Sequence, residues 1–187
     1  MDDAADLRPA DLRPLTLVVM GPSGVGKTSV ARALVERTGW AFQEGDALHP
    51  ETNRGKMAAG TALDDDDRWP WLGRIADWIG ACETAGQGAV VTCSALKRRY
   101  RDLLRDGHPS VRFVHLAADP ALITERITGR TGHYMPPSLL RSQLDALEPL
   151  ADDEPGVRVE TLGDPAAVAD RALTLLEARE RARRPAR

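Results

Sequence analysis

The sequence has 187 residues, 42% hydrophobic and 28% charged, with a formal net charge of −3. That length suits one well-cored domain and is short for two, and the mild acidity gives no field favouring DNA or acidic membranes as partners. No apolar run approaches the ~20 residues a bilayer crossing needs. The two cysteines, Cys82 and Cys93, stand in unlike contexts without metal-ligand spacing, Cys93 inside an apolar run as a core thiol would be. These features point to a cytoplasmic protein with no nucleic-acid and no membrane partner.

Residues 1–14 carry Asp2, Asp3 and Asp6 and lack the apolar core of a secretion signal. They read as a polar, proline-containing lead-in of the kind that stays disordered. An apolar run at 15–20 then reads as a strand, and a helical pattern extends from Ser29 to Thr38 and Gly39. Between them, Gly21-Pro22-Ser23-Gly24-Val25-Gly26-Lys27-Thr28 fits G-x-x-x-x-G-K-[ST] with no position missing. Glycines let backbone N–H groups turn inward around phosphate oxygens, and the new helix adds unpaired N–H groups and its positive dipole end. Lys27 supplies a point charge for the β- and γ-phosphates, and the Thr28 hydroxyl suits the shell of a Mg²⁺ ion. The expected ligand is therefore a nucleoside triphosphate, ATP with Mg²⁺.

Residues 41–46 form a short strand candidate ending on the Asp46 carboxylate, and 47–68 a polar stretch with a short helix about 51–59. A longer helix is predicted over about 66–85, where Trp71, Leu72, Ile75, Trp78 and Ile79 recur at helical spacing. Strands follow at 89–94, 111–116 and 157–162, and helices at 97–105, 119–129, 138–147 and from Pro165 onward. Residues 130–137 read as a Gly/Pro-bearing loop. The domain is placed at 15–178, and 179–187 is read as a solvated basic tail. Alternating strands and helices predict an α/β fold, an open parallel five-stranded sheet with helices on both faces. Ligands in such sheets bind beyond the carboxyl ends of the strands, which singles out the phosphate loop, Asp46 onward, 94–101 and 126–133.

Missing features narrow the class. A GTPase switch would need Asn-Lys-x-Asp and an Asp-x-x-Gly after an apolar strand, and neither occurs. A motor or transport ATPase would carry a strand ending in a carboxylate, whereas strand three ends Thr92-Cys93-Ser94. A small-molecule kinase remains, with the polar insertion at about 47–68 holding the acceptor and an arginine-bearing segment at about 126–137 closing as a lid. Arg126 and Arg130 lie four apart, on one helix face. This segment resembles the start of the lid in nucleoside monophosphate kinases, which implies Arg126 near the adenine or phosphates and Arg130 near the transferring phosphoryl group. A guanidinium arriving on closure would stabilise the charge spread over the equatorial oxygens and exclude water.

Several blocks are more specific. Gly45-Asp46-Ala47-Leu48-His49-Pro50, the segments 53–60, 63–72, 93–105 and 132–135, and Ser142-Gln143-Leu144-Asp145-Ala146-Leu147-Glu148-Pro149 resemble, in order, the signature blocks of gluconokinases. The resemblance covers roughly 15–165. It implies a P-loop kinase fold of nucleoside monophosphate kinase type with a short lid, ATP-dependent phosphorylation of D-gluconate at its 6-hydroxyl, and a homodimer. Departures are Tyr134 where phenylalanine is frequent, Ala62 where proline is common, and the lead-in.

The residue chemistry suits a polyol carrying a carboxylate. Arg54, Lys56, Lys97 and Arg101 are candidates for the carboxylate and the phosphates, and His49 and Asp46 for hydroxyl groups. Asp46 either accepts or orients the 6-hydroxyl proton, or holds Mg²⁺ through water; both roles are open. His133 either contacts the phosphates or shapes its loop. The 64–67 aspartate run reads as a solvated helix start, Trp69, Trp71 and Trp78 as packing, and His108 and His115 as structural or solvated. Two rivals are a kinase for another small polyhydroxy acid and a non-catalytic ATP-binding regulator. A shikimate kinase would show Asp-x-Asp after strand two and Gly-Gly-Gly after strand three, unlike Glu44-Gly45-Asp46 and Cys93-Ser94-Ala95. A regulator would be expected to lack the loop lysine or the lid arginine, and both are present.

Overall fold

The computed structural model describes residues 14–128 and 137–183. Residues 1–13, 129–136, which hold Arg130, His133 and Tyr134 of the expected lid, and 184–187 lie outside the described residues.

Five strands, β1 (Thr16–Met20), β2 (Ala41–Gln43), β3 (Ala89–Thr92), β4 (Val111–Ala117) and β5 (Gly156–Glu160), form one sheet in the order β2-β3-β1-β4-β5. Every pairing is parallel, with Leu17 opposite Val90 and Arg112, and Val114 opposite Val157. The helices are α1 (Lys27–Thr38), α2 (Glu51–Ala58), α3 (Asp65–Thr84), α4 (Arg98–Arg105), α5 (Pro120–Thr128), α6 (Pro137–Ala146) and α7 (Pro165–Arg183).

The alternation of strand side chains sorts the core into two layers. Leu17, Val19, Val90, Val114 and Leu116 meet Val30 and Leu34 of α1 and Val168, Ala172 and Leu176 of α7. Val18, Met20, Val91 and Phe113 point the other way, onto Trp71, Leu72, Ile75 and Ile79 of α3 and Tyr100 and Leu104 of α4. Each such buried side chain contributes on the order of 1.5–3 kcal/mol. Both faces being covered explains why the central strands read as continuous apolar runs. Among the described residues no helix is long and apolar enough to cross a membrane.

Several boundaries differ from the sequence expectation, β5 among them, which ends at Glu160 instead of Leu162. β2 stops at Gln43, because the chain then curls into a 3₁₀ turn at Gly45–Leu48. This turn is seated on β3, with Gly45 N–H donating to Thr92 Oγ1 at 3.0 Å and Trp71 Nε1 donating to Gly45 O at 2.7 Å. The third strand ends at Thr92 in the ladder, two residues before the expected end. α7 runs through Arg183, into the segment expected as the tail. Arg179 donates to the carbonyls of Gly156, Asp152 and Glu154, and Glu180 accepts from Arg112 at 2.6 Å.

Candidate active site at the carboxyl ends of the strands

The loop after β1 wraps the start of α1. Gly21 has φ +137, and a Cβ there would lie 2.8 Å from the Leu116 carbonyl oxygen, so the turn into the loop is glycine-dependent. Lys27 Nζ donates to the carbonyls of Gly21 at 3.1 Å and Pro22 at 3.0 Å, which sets the ammonium across the loop mouth. Thr28 stands in the first turn of α1, whose N-cap, Gly26, brings no side-chain oxygen to the leading N–H groups. The start of α1, with the positive end of its dipole, thus opens onto the loop, an arrangement that suits an anion. Arg126 of α5 reaches the same loop, donating to Val25 O at 3.5 Å and to Thr161 Oγ1 and O at 3.1 and 2.9 Å. It thus joins the phosphate loop to the segment after β5.

Asp46 occupies the 3₁₀ turn after β2, and its side chain is 74% exposed. His49 Nε2 lies 4.0 Å from its carboxylate. The His49 ring is buried and stacked on Trp71 at 4.1 Å. Burial pushes its pKa down to about 4, so it is neutral at pH 7. The Asn53 amide, 3.3 Å from Nδ1, also donates to Asp67 O at 2.7 Å. With Nδ1 accepting from that amide, the proton sits on Nε2, facing Asp46. His49 thus lies buried, with its Nε2 edge 4.0 Å from the Asp46 carboxylate.

Beyond β3, the buried thiol of Cys93 is pushed up to about 12 by burial, and among the charges acting on it are Asp46, Lys27 and Arg68. Asp46, Lys27 and Arg68 are thus near enough to the end of β3 for their charges to act on this thiol. Beside them is a cavity of about 290 Å³, bordered by Asp65, Arg68, Lys97, Tyr100, Ser142 and Gln143. It is close to the lower limit, roughly 300 Å³, of small-molecule pockets. Lys97 Nζ donates to Asp65 at 2.9 Å, and Arg99 and the Tyr100 hydroxyl donate to the same carboxylate.

The aspartate run is more engaged than a solvated helix start. Asp64 caps α3 by accepting from Asp67 N–H at 2.9 Å, while the Asp67 carboxylate accepts from Asp64 N–H at 3.2 Å and pairs with Lys56 at 2.6 Å. Arg54 donates to His49 O at 2.8 Å and lies 3.6 Å from Glu51, more than half exposed. Arg54 and Lys56 of α2 thus tie this helix to His49 and to Asp67 of α3.

Arg101, expected at the substrate, lies in the interior of the structure. It is 0% exposed, and its guanidinium is spent inside the protein. Nε and Nη2 donate to Glu154 at 2.6 and 2.8 Å, and the remaining N–H groups go to the carbonyls of Ala95, Leu96, Glu148 and Pro149. Burial pushes the Glu154 carboxyl up, but the Arg101 hydrogen bond and the Ala151 N–H outweigh it and hold it below the ordinary range. Ala95, in the left-handed region at φ 42, is pinned by this guanidinium, so Arg101 fixes the loop carrying Lys97.

The structure also brings in two residues that residue-type reasoning did not select, Arg68 and Gln143. Both fall in the gluconokinase-like blocks, which was their available signal. Gln143 Oε1 accepts from Ser23 N–H at 2.8 Å.

A phosphate loop on the middle strand of a parallel five-stranded sheet, with a neighbouring cavity bordered in part by charged side chains, defines a P-loop small-molecule kinase of the nucleoside monophosphate kinase type. A family model described as an AAA domain matches residues 17–150. The chain is 48% identical over 169 residues to a gluconokinase of Gluconobacter oxydans (strain 621H), covering 90% of this chain and 95% of that protein. It is 40% identical over 148 residues to the thermoresistant gluconokinase of Escherichia coli (strain K12), covering 79% and 85%. The crystal structure of a gluconokinase from Sinorhizobium meliloti 1021 superposes with a TM-score of 0.81 at 42% identity, covering 92% of this chain and 99% of that one. The chain belongs to the gluconokinase family.

Proposed function

We propose that this chain transfers the γ-phosphoryl group of ATP to the 6-hydroxyl of D-gluconate, giving 6-phospho-D-gluconate and ADP. The observation that carries this reading is the phosphate loop spanned by Lys27 and linked through Gln143 to a cavity that Arg68 and Lys97 border. Gluconate offers an anion for Arg68 and Lys97 and a primary hydroxyl for Asp46.

In the transfer, the hydroxyl oxygen forms a bond to the γ-phosphorus as the bond to the bridging oxygen breaks. Asp46 orients the hydroxyl and takes up its proton, with the neutral His49 Nε2 4.0 Å from its carboxylate. Lys27 turns from the loop carbonyls to the β/γ-oxygens, and Arg126 secures the loop from the α5 side. Arg130 and His133 complete the phosphate contacts from the lid segment.

Mg²⁺ fits the donors present. Among the described residues no group of three or more His, Cys, Asp or Glu side chains could hold a metal alone. The Thr28 hydroxyl and Asp46 through water are hard oxygen donors of the kind that share the ion with phosphates, where it would neutralise charge on the β- and γ-oxygens. The buried free thiols of Cys82 and Cys93 favour the cytoplasm, and the family resemblance favours a homodimer.

Lys27→Ala should lower kcat by on the order of 10³ with the fold retained. Asp46→Asn should lower kcat far more than it weakens ATP binding, read by steady-state kinetics beside nucleotide titration. A selective loss of ATP affinity would move Asp46 to the metal, and near-normal turnover in both variants would overturn the assignment.

A further inference from the structure

Gln143 lies on α6 between the two halves of the site. Its carboxamide oxygen takes the Ser23 N–H at 2.8 Å, a backbone donor of the phosphate loop, and the residue also borders the acceptor cavity. The N–H donor fixes which end of the carboxamide faces the loop, so the NH₂ end carries two donors of its own. The C-terminal side of α6 is tied to the opposite wall of the cavity. Glu148 N–H donates to Leu96 O at 2.8 Å, and the Glu148 carboxylate accepts from Arg98 N–H, flanking Lys97 on both sides. One helix and the residues just after it thus touch the phosphate loop, the acceptor cavity and the loop that presents Lys97.

We infer that Gln143 is a positioning residue that couples nucleotide binding to acceptor binding. A phosphate oxygen seeking Ser23 N–H competes with the Gln143 carbonyl oxygen for one donor. Once displaced, the carboxamide turns into the cavity, where its N–H groups donate to an acceptor hydroxyl. Nucleotide therefore releases a group that the acceptor needs, and the two ligands favour each other. By linkage each strengthens the other's binding by the same factor, about tenfold, towards the lower end of the usual range. The inference rests on gluconate as the acceptor.

The test measures gluconate binding with and without the non-hydrolysable ATP analogue AMPPNP and Mg²⁺, in the unaltered chain and in Gln143→Leu and Gln143→Glu. The unaltered chain should bind gluconate about tenfold tighter when the analogue is bound. Gln143→Leu, which removes the competitor, should bind AMPPNP as tightly or up to a few-fold tighter while the coupling factor falls to near one. Gln143→Glu keeps an acceptor for Ser23 but places a negative charge beside an anionic substrate, so it should raise the KM for gluconate more than it lowers kcat. A coupling factor unchanged in Gln143→Leu, or absent from the unaltered chain, would overturn the inference. So would loss of AMPPNP binding in Gln143→Leu, which would make the residue a support of the loop. Absence of gluconate turnover by the unaltered chain would take down the substrate reading and this inference with it. Turnover with unchanged coupling would remove this inference alone.

Discussion

Replacing Arg101 by methionine keeps most of the stem and removes the guanidinium. Glu154, 0% exposed, then loses two hydrogen bonds of 2.6 and 2.8 Å. It keeps the Ala151 N–H at 2.9 Å and Arg98 at 3.8 Å, too little to balance a buried carboxylate. The carbonyls of Ala95, Leu96, Glu148 and Pro149 lose a donor as well. Breaking a buried pair from one side costs about 3–5 kcal/mol, a large part of the roughly 5–15 kcal/mol holding an ordinary domain together. For a domain of this size that lowers Tm by roughly 6–20 °C. The double variant Arg101→Met with Glu154→Met should recover most of the loss, because an apolar pair of similar volume can replace a buried ion pair. Thermal and urea unfolding of both variants, beside gluconate KM at a permissive temperature, make the comparison. Unchanged unfolding of Arg101→Met with a gluconate KM raised more than tenfold would refute the structural role and return Arg101 to the substrate.

Gly45→Ala should destabilise the fold by about 1–3 kcal/mol and lower kcat together, because its Cβ would sit 1.9 Å from the Thr92 carbonyl oxygen and push the turn bearing Asp46 outward. Paired unfolding and kinetic measurements check it, and an unperturbed variant would mean the turn yields freely. Acid should weaken the fold before carboxylates titrate. His49 and His115 are pushed down by burial to about 4 from an ordinary 6.5, so between those values the unfolded chain binds protons that the folded chain refuses. Their contribution is complete above pH ~6.5 and is lost as pH falls towards ~4, at about 1.4 kcal/mol per pH unit for each histidine. The ring nitrogens of His115 have no hydrogen-bond partner among the described residues. His115→Leu should therefore flatten the pH dependence of the urea midpoint without destabilising the protein at pH 7.5, and an unchanged slope would contradict the assignment.

Much of this was legible in the chain because the signals are local. The phosphate loop needs eight consecutive residues between a strand and a helix, and Lys27 and Thr28 are found by position alone. Apolar runs such as 89–92 reveal buried parallel strands, yet the order β2-β3-β1-β4-β5 depends on where each crossover lands, which no single segment carries. Arg101 misled because a basic helix near the cleft looks like an anion site. Its burial depends on Glu154, 53 residues away, and on carbonyls that only the fold brings together. The faint clue was its place beside the buried Tyr100 and three before the buried Leu104. Asp65 and Asp67 looked like dipole partners of α3, whereas Lys97 and Lys56 reach them from other elements. Gln143 has no titratable group to draw notice, and its role rests on a contact across 120 residues.

The central claim is most directly tested by coupled ADP release with Mg–ATP and a panel of gluconate, shikimate, glycerate and nucleoside monophosphates. The account predicts rapid turnover with gluconate alone, and its near-complete loss in Lys27→Ala and Asp46→Asn. ATP binding without gluconate-dependent ADP release, or preference for another acceptor, would contradict it.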